Sequence, residues 1–133
     1  TSSVLKNGWI VLGARFCLKQ GDPKQIQARI EELAKLRRSK QPLEYPSAGS
    51  TFKRPEGFFA GKLIQDAGLK GFQVGGAQVS EKHSGFVINR DHATAQDVIQ
   101  LCGQVSETVR KQFGVKLELE IKCLGEFKQL DSQ

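Results

Sequence analysis

Apolar residues recur at helical spacing in the first third of the chain, directly after a helix-start signal. Asp22 is a predicted N-cap, because Pro23 follows it at the first helical position and Gln25 completes a capping-box pattern. The apolar stripe that follows consists of Ile26, Ile30 and Leu33. The pattern predicts a long helix that ends at about Ser39.

Two further helices are predicted by the same criteria. FAGKLIQDAG has small and apolar residues on one face and Gly68 as a natural stop, which indicates a short helix. Thr94 is the predicted cap of a second long helix, with Asp97 as its capping-box partner and Gly114 at its end. Its apolar face consists of Val98, Leu101, Cys102, Val105, Val109 and Phe113.

Strand patterns occupy most of the remaining chain. Residues 8–19, GWIVLGARFCLK, are rich in branched and aromatic residues and partly alternate. LKGFQVGGAQVS and GFVIN are predicted short strands, separated by a polar turn over residues 81–84. Residues 41–57 contain three prolines and two glycines, so they are predicted to form no regular element.

The stretch VKLELEIKCLG, residues 115–125, alternates strictly and predicts a strand with one buried face. The predicted buried side consists of Val115, Leu117, Leu119, Ile121 and Cys123, and the polar side of Glu118, Glu120 and Lys122. Helices mixed with glycine-linked short strands favour the α+β class, with a short mixed sheet and two long helices.

Composition is that of a globular protein, with 38% hydrophobic and 26% charged residues in a chain of 133. No apolar run approaches the roughly 20 residues that cross a bilayer, so we expect a soluble protein without a membrane partner. The first residue is not methionine and the chain enters a predicted strand almost at once, which suggests a piece of a longer protein.

The net charge of +6 leaves the nature of an anionic partner open. The densest cationic cluster consists of Lys35, Arg37, Arg38 and Lys40. Such a cluster fits an anionic ligand, but cations at a helix C-terminus are also favoured by the helix dipole alone. Nucleic acid binding is suggested only by this charge, and a single Trp and a single Tyr provide no stacking surface.

The cysteines Cys17, Cys102 and Cys123 show no metal or disulfide spacing, and each falls in an apolar segment. We therefore expect three buried thiols. Because His83 and His92 lie far from every cysteine in the sequence, no metal site is predicted.

The stretch PSAGSTFKRP contains one hydroxyl, Ser50, between small residues and two cations, Lys53 and Arg54. This serine is either a turn residue bonded to nearby backbone or a proton-donating hydroxyl beside an anion site. Glu120 is similarly open between a solvated carboxylate and a functional one, and His83 between a polar turn residue and a ligand contact. The G-x-S-x-G pattern of hydrolases is absent.

The order of three segments is more specific than any one of them. AGSTFKRP, then FAGKLIQDAGLKGFQVGGAQVSEKHSGFVIN, then QFGVKLELEIKCLG resemble the C-terminal part of the UDP-N-acetylenolpyruvoylglucosamine reductase (MurB) family over roughly residues 8 to 125. The resemblance implies a flavoenzyme that carries FAD and takes a hydride from NADPH. Its substrate would be UDP-N-acetylglucosamine enolpyruvate, reduced to UDP-N-acetylmuramate for peptidoglycan synthesis in the bacterial cytoplasm.

The same resemblance implies roles for five residues. The serine of the family motif A-G-S-x-F-K is the proton donor and corresponds to Ser50, while the glutamate of the closing strand corresponds to Glu120. Lys40 matches a lysine that contacts the nucleotide diphosphate. Arg54 stands where other members have an asparagine that contacts UDP, and His83 where some have glutamine.

The resemblance also implies a division of the chain. Residues 1–20 would be a remnant strand of the FAD-binding domain, 21–41 a connecting helix, 42–126 the substrate-binding domain and 127–133 a polar tail. The family's active-site arginine and glycine-rich FAD loops are expected before Thr1, with Thr1 and Ser2 as the tail of its Tyr-Arg-x-Ser strand. The isolated fragment is therefore expected to be inactive, and its compact spacing resembles the class without an inserted tyrosine loop. The alternative is a stand-alone module that binds UDP sugars or other phosphorylated ligands.

Overall fold

The computed structural model describes residues 3–125 and 127, which fall into two compact units divided between Leu33 and Ala34. Helices and a four-stranded sheet are both present, so the predicted α+β class is confirmed. Thr1 and Ser2, to which the tail of a family motif was assigned, lie outside the described residues, as does nearly all of the predicted polar tail.

The first unit begins with helix α1 (Ser3–Asn7), and residues 9–22 that follow it form neither helix nor strand. The predicted strand over residues 8–19 is therefore wrong for the described structure. Its large apolar side chains are exposed: Trp9, Ile10, Val11, Leu12, Phe16 and Leu18. A strand forms only when its backbone groups pair with a neighbour, and no strand pairs with this stretch in the described part of the chain.

Helix α2 (Pro23–Lys40) begins where the sequence predicts. The Asp22 carboxylate accepts hydrogen bonds from the backbone N–H of Lys24 at 2.8 Å and of Gln25 at 3.4 Å, which caps the first turn. The apolar stripe of α2 is nevertheless about half exposed, at 50% for Ile26, 55% for Ile30 and 47% for Leu33.

The second unit is built on strands β1 (Ser47–Ser50), β2 (Gln73–Val74), β3 (Ala77–Val79) and β4 (Phe86–Asn89), in the order β1-β4-β3-β2. Every pairing among these strands is antiparallel, so the predicted mixed sheet is wrong. The prediction that residues 41–57 form no regular element is wrong, because strand β1 lies within them. It pairs irregularly with β4, with Gly49 at φ 87°, which allows a proline- and glycine-rich stretch to join the sheet.

Helix α3 (Ala60–Asp66) and helix α4 (Ala95–Phe113) confirm the two remaining helix predictions. Helix α4 has a complete capping box between Thr94 and Asp97, and Gly114 ends it in the left-handed conformation. Its buried stripe packs with residues of α3 and the sheet into one core. The buried members on α4 are Leu101, Cys102, Val105 and Val109.

Residues 115–125 do not form the predicted strand. One isolated antiparallel bridge, between Phe52 and Leu119, is the extent of regular pairing in this segment. Leu117 is buried as predicted, but Cys123 is exposed. The alternation therefore identifies the inward side chains near the bridge and fails beyond it.

The expectation of three buried thiols is correct only for Cys102, because Cys17 and Cys123 are exposed. Burial raises the pKa of the Cys102 thiol to about 12, which keeps it neutral and unreactive. Among the residues that the structure describes, no three potential metal-ligating side chains cluster. No described helix is long and apolar enough to span a bilayer.

Candidate functional site

A cleft of about 420 Å³ opens in the second unit between the end of β1, the start of α3 and the turn before β4. Three of the five residues singled out from the sequence, Ser50, Arg54 and His83, line it together. Its other lining residues are Phe52, Phe59, Ala60, Gly61, Lys62, Gln65, Lys82, Ser84 and Gly85. The fold thus brings Ser50 and His83, which are 33 positions apart in the sequence, into one cleft.

Ser50 is the last residue of β1 and is exposed in the cleft wall. Its hydroxyl makes no hydrogen bond to another described residue. The next residue, Thr51, is 2% exposed and anchors this end of the strand. Thr51 donates its backbone N–H to Gly85 at 2.9 Å and accepts from Val87 through its hydroxyl at 3.0 Å. Ser50 is therefore a free hydroxyl on a firmly held backbone.

The C-terminal segment is bonded to the backbone immediately after Ser50. The backbone N–H of Glu120 donates to the Thr51 carbonyl at 2.9 Å, and that of Lys53 donates to the Glu118 carbonyl at 2.8 Å. Glu120 is exposed and does not line the cleft. The fold brings its backbone next to Ser50, although the two residues are distant in sequence.

Arg54 is the cationic side chain of the cleft that is not paired with a carboxylate among the described residues. Its guanidinium stacks 4.0 Å from the centroid of the Phe59 ring, and its Nε donates to the Phe58 carbonyl at 3.3 Å. It has no carboxylate partner in the described part of the chain. Lys62 and Lys82, by contrast, are paired with Asp66 and Glu44, respectively. The stacked, unpaired guanidinium is suited to an anion with paired oxygens.

His83 is held by the turn that precedes β4. Its Nδ1 accepts the backbone N–H of Gly85 at 3.1 Å, and its ring meets Phe86 edge-on at a centroid distance of 5.0 Å. The buried Ser80 hydroxyl accepts the backbone N–H groups of Lys82 at 3.1 Å and His83 at 3.2 Å. The turn is thus organised from inside by a serine side chain.

Residues 41–124 match the sequence model of the family described as UDP-N-acetylenolpyruvoylglucosamine reductase, C-terminal domain. This chain belongs to that family. The resemblance inferred from the three segments is confirmed, and the matched range contains the whole cleft.

Relatives that carry the reductase name agree with this assignment. The UDP-N-acetylenolpyruvoylglucosamine reductase of Clostridium beijerinckii is 62% identical over 125 residues, which are 94% of this chain and 41% of that protein. The protein of the same name from Lachnoclostridium phytofermentans is 59% identical over 126 residues, covering 95% and 41%. This chain therefore spans about two fifths of the length of the reductases it matches.

A solved structure supports the reductase fold as well. The crystal structure of the UDP-N-acetylenolpyruvylglucosamine reductase MurB from Thermus caldophilus matches with a TM-score of 0.64 and 36% identity. The match covers 81% of this chain and 38% of that one.

Lys40, like Glu120, is a predicted site residue that the cleft does not include. It is exposed at the C-terminal end of α2 and is absent from the cleft lining. Its assigned role stays a prediction, as do the roles of the other four residues.

Sequence reasoning missed several cleft residues. Lys62, Lys82 and Ser84 had no distinguishing pattern, because a lysine on a short helix or a polar residue in a turn is common on any surface. The glycines of the cleft could have indicated it from the sequence, because glycine permits the close approach of two backbones. Gly61 and Gly85 approach each other closely, since a Cβ on Gly61 would lie 3.2 Å from the Gly85 nitrogen.

Proposed function

We propose that this chain is the substrate-binding C-terminal part of an FAD-dependent, NADPH-using reductase. The enzyme would convert UDP-N-acetylglucosamine enolpyruvate to UDP-N-acetylmuramate in the cytoplasm, as a step in peptidoglycan precursor synthesis. Membership of the reductase family supports this proposal. Because the chain spans 41% of its relatives, the activity is proposed for the longer protein that contains it.

The observation that carries the proposal is the grouping of Ser50, Arg54 and His83 in one cleft. A hydroxyl without a protein partner, a stacked guanidinium and an imidazole form a set of donors for an oxygen-rich anion. A nucleotide sugar with a diphosphate and a carboxylate has this chemistry. The volume of about 420 Å³ lies within the range of small-molecule sites.

Ser50 is proposed as the proton donor. Hydride addition to the terminal carbon of the enolpyruvyl group leaves an enolate-like anion beside the carboxylate, and the adjacent carbon must then be protonated. A serine hydroxyl is a weak acid, so its contribution comes from position and from nearby positive charge. Its anchored backbone and the neighbouring Arg54 supply both.

The other assigned residues have supporting roles in this proposal. Arg54 and Lys40 would bind the diphosphate, and an arginine can do so with two parallel hydrogen bonds. His83 would donate to an oxygen of the substrate. Glu120, bonded through its backbone to Thr51, would steady the anion or assist its protonation.

The donor set of the cleft fits the substrate rather than FAD. A hydroxyl, an unpaired guanidinium and an imidazole on one small cleft suit carboxylate and phosphate oxygens, and we assign no described residue to the flavin. FAD, when held by the longer protein, supplies the hydride that it has received from NADPH. The part played by this chain is to bind and orient the substrate and to deliver a proton.

The test is Ser50→Ala in the full-length reductase. We expect reduction of the flavin by NADPH to keep its wild-type rate, because that half-reaction needs no proton from Ser50. Reoxidation of the reduced flavin by UDP-N-acetylglucosamine enolpyruvate should slow by at least about a hundredfold, the usual minimum for loss of an acid catalyst. Stopped-flow absorbance of the flavin measures both steps.

Ser47→Ala is the matched control, because Ser47 is an exposed serine at the other end of the same strand and outside the cleft. It should leave both half-reactions unchanged. Equal slowing of both half-reactions by Ser50→Ala would contradict the proton-donor role. Tight binding of the UDP sugar by a full-length protein that reduces nothing would favour the alternative of a binding module.

A further inference from the structure

The two ring nitrogens of His83 have different surroundings. Nδ1 accepts the backbone N–H of Gly85 at 3.1 Å. Nε2, on the opposite side of the ring, has no hydrogen-bond partner among the described residues. The side chain as a whole lines the cleft.

This asymmetry determines where the proton of the neutral imidazole lies. A nitrogen that accepts a hydrogen bond presents its lone pair, so in the neutral ring the proton must be on the other nitrogen. The Gly85 N–H therefore selects the Nε2–H form of His83. In this form the free nitrogen is a hydrogen-bond donor.

The ring keeps this orientation because Gly85 has no side chain. A Cβ on Gly85 would lie 3.0 Å from Cε1 and 3.2 Å from Nδ1 of His83, closer than ordinary packing allows. No left-handed conformation is required at Gly85, which is not among the residues with positive φ. The contacts that a Cβ on Gly85 would make within 3.4 Å are both with the His83 ring.

We propose that Gly85 is a positioning residue that holds His83 as the Nε2–H tautomer, so that His83 donates a hydrogen bond to an oxygen of the bound ligand. The proposal deepens the function assigned above and rests on it for the identity of that ligand, a UDP sugar. The nitrogen of a glutamine amide is likewise a donor that carries no charge.

The tautomer can be measured without turnover. In full-length protein labelled with 15N-histidine, the His83 resonances are assigned with His83→Gln and recorded at neutral pH. We expect Nδ1 to give the signal of a bare, hydrogen-bonded nitrogen and Nε2 that of a nitrogen bearing a proton. A proton on Nδ1 would overturn the proposal whatever the ligand is.

Binding of UDP-N-acetylglucosamine enolpyruvate by calorimetry tests the donor role. His83→Gln should stay within about threefold of the wild-type Kd, because it keeps a donor, and His83→Ala should weaken binding by about tenfold or more. His92→Ala is the control, since His92 is fully exposed and outside the cleft. If His83→Gln weakens binding as much as His83→Ala, the donor role is wrong.

The Gly85→Ala variant tests whether ligand binding depends on the orientation of the His83 imidazole as well as on its presence. The new Cβ should displace the ring, change the 15N signals of His83 and weaken binding about tenfold, with the thermal transition of the protein retained. Ser47→Ala is the control, because Ser47 is exposed on the same sheet and lies outside the cleft. Unchanged signals and unchanged affinity in Gly85→Ala would overturn the positioning role.

Two combinations of results distinguish the His83 donor role from the proposed reductase function. If the full-length protein reduces its substrate with NADPH but His83→Ala binds normally, the function stands and the inference fails. If the protein neither binds nor reduces the substrate, the proposed function fails, and the His83 donor role fails with it. The tautomer measurement then still decides whether Gly85 orients the ring.

Discussion

Two serines in one turn differ in what their hydroxyls contact. Ser80 accepts two backbone N–H groups and is 1% exposed. Ser84 is 6% exposed, and its hydroxyl is the buried side-chain polar atom without a hydrogen-bond partner in the described residues. A buried polar group that lacks a partner costs about 1–3 kcal/mol, so the two residues should affect stability in opposite directions.

We therefore predict that Ser84→Ala leaves the free energy of unfolding unchanged or raises it. Ser80→Ala should lower the same quantity by about 1–3 kcal/mol, because two backbone donors lose their acceptor. Urea denaturation of both variants beside the wild type measures this. A loss of more than about 1 kcal/mol in Ser84→Ala would mean that an ordered water or a ligand satisfies its hydroxyl.

Individual residues of the site were accessible from the sequence only through the family resemblance. Ser50 and Glu120 had ordinary structural readings on their own, as a turn serine and a solvated carboxylate. Composition and spacing do not encode which distant segments meet. The hydrogen bond between Glu120 and Thr51 lies next to the bridge between Phe52 and Leu119. No local sequence pattern predicts that bridge.

At the scale of elements, helices were predictable and strands only in part. The three helices predicted from caps, glycine stops and apolar stripes all form, because these signals act within the helix itself. The two strands with the strongest patterns, residues 8–19 and 115–125, do not form, since a strand depends on a partner elsewhere. Strand β1 forms against its proline- and glycine-rich composition for the same reason, because β4 provides a neighbour.

The capping box of α4 should contribute measurably to stability. Thr94→Ala removes the hydroxyl that accepts the Asp97 N–H at 3.1 Å and should lower the free energy of unfolding by about 1 kcal/mol. Thr108→Ala is the control on the same helix, because its hydroxyl only bonds back to the Gln104 carbonyl. Thermal denaturation compares the two, and equal losses would show that the cap has no special effect.

The same cap has a pH dependence of definite sign. The backbone N–H of Thr94, followed by its hydroxyl, holds the pKa of Asp97 below its ordinary value. The stabilisation is therefore complete above the ordinary carboxyl pKa and is lost as the pH falls through the lowered one. Asp97→Asn should remove this part of the acid destabilisation in a pH series of the same melts.

At the scale of the whole molecule, buried and exposed apolar surface are unevenly distributed. The hydrophobic core is drawn from residues between Phe52 and Leu117. The apolar residues between Trp9 and Leu18 are largely exposed. Since relatives are more than twice as long, we propose that residues 1–20 join the FAD-binding domain of the longer protein and that 21–41 connect it to the substrate-binding domain, 42–126.

Hydrogen exchange tests this division. In the 133-residue chain, the amides of residues 9–19 should exchange as fast as unstructured peptide, because they have no strand partner there, with the exception of Trp9, whose N–H donates to the Val4 carbonyl. In the full-length protein the same amides should be strongly protected by pairing within a sheet. The amides of Leu101 to Val109 are the internal reference, buried in α4 and protected in both. Fast exchange of residues 9–19 in both proteins would contradict the proposed remnant strand.

The backbone hydrogen bonds that attach Glu118 and Glu120 beside Thr51 and Lys53 join a short extended segment to the chain just past the cleft. An extended peptide with the same alternation of residues can compete for those backbone groups, as peptides do when they add to an exposed strand. Such a competitor would displace Glu120 from the backbone beside Ser50, the proposed proton donor, without resembling a nucleotide. In the reductase proposed above, compounds that act on this segment would not have to compete with nucleotides for the cleft.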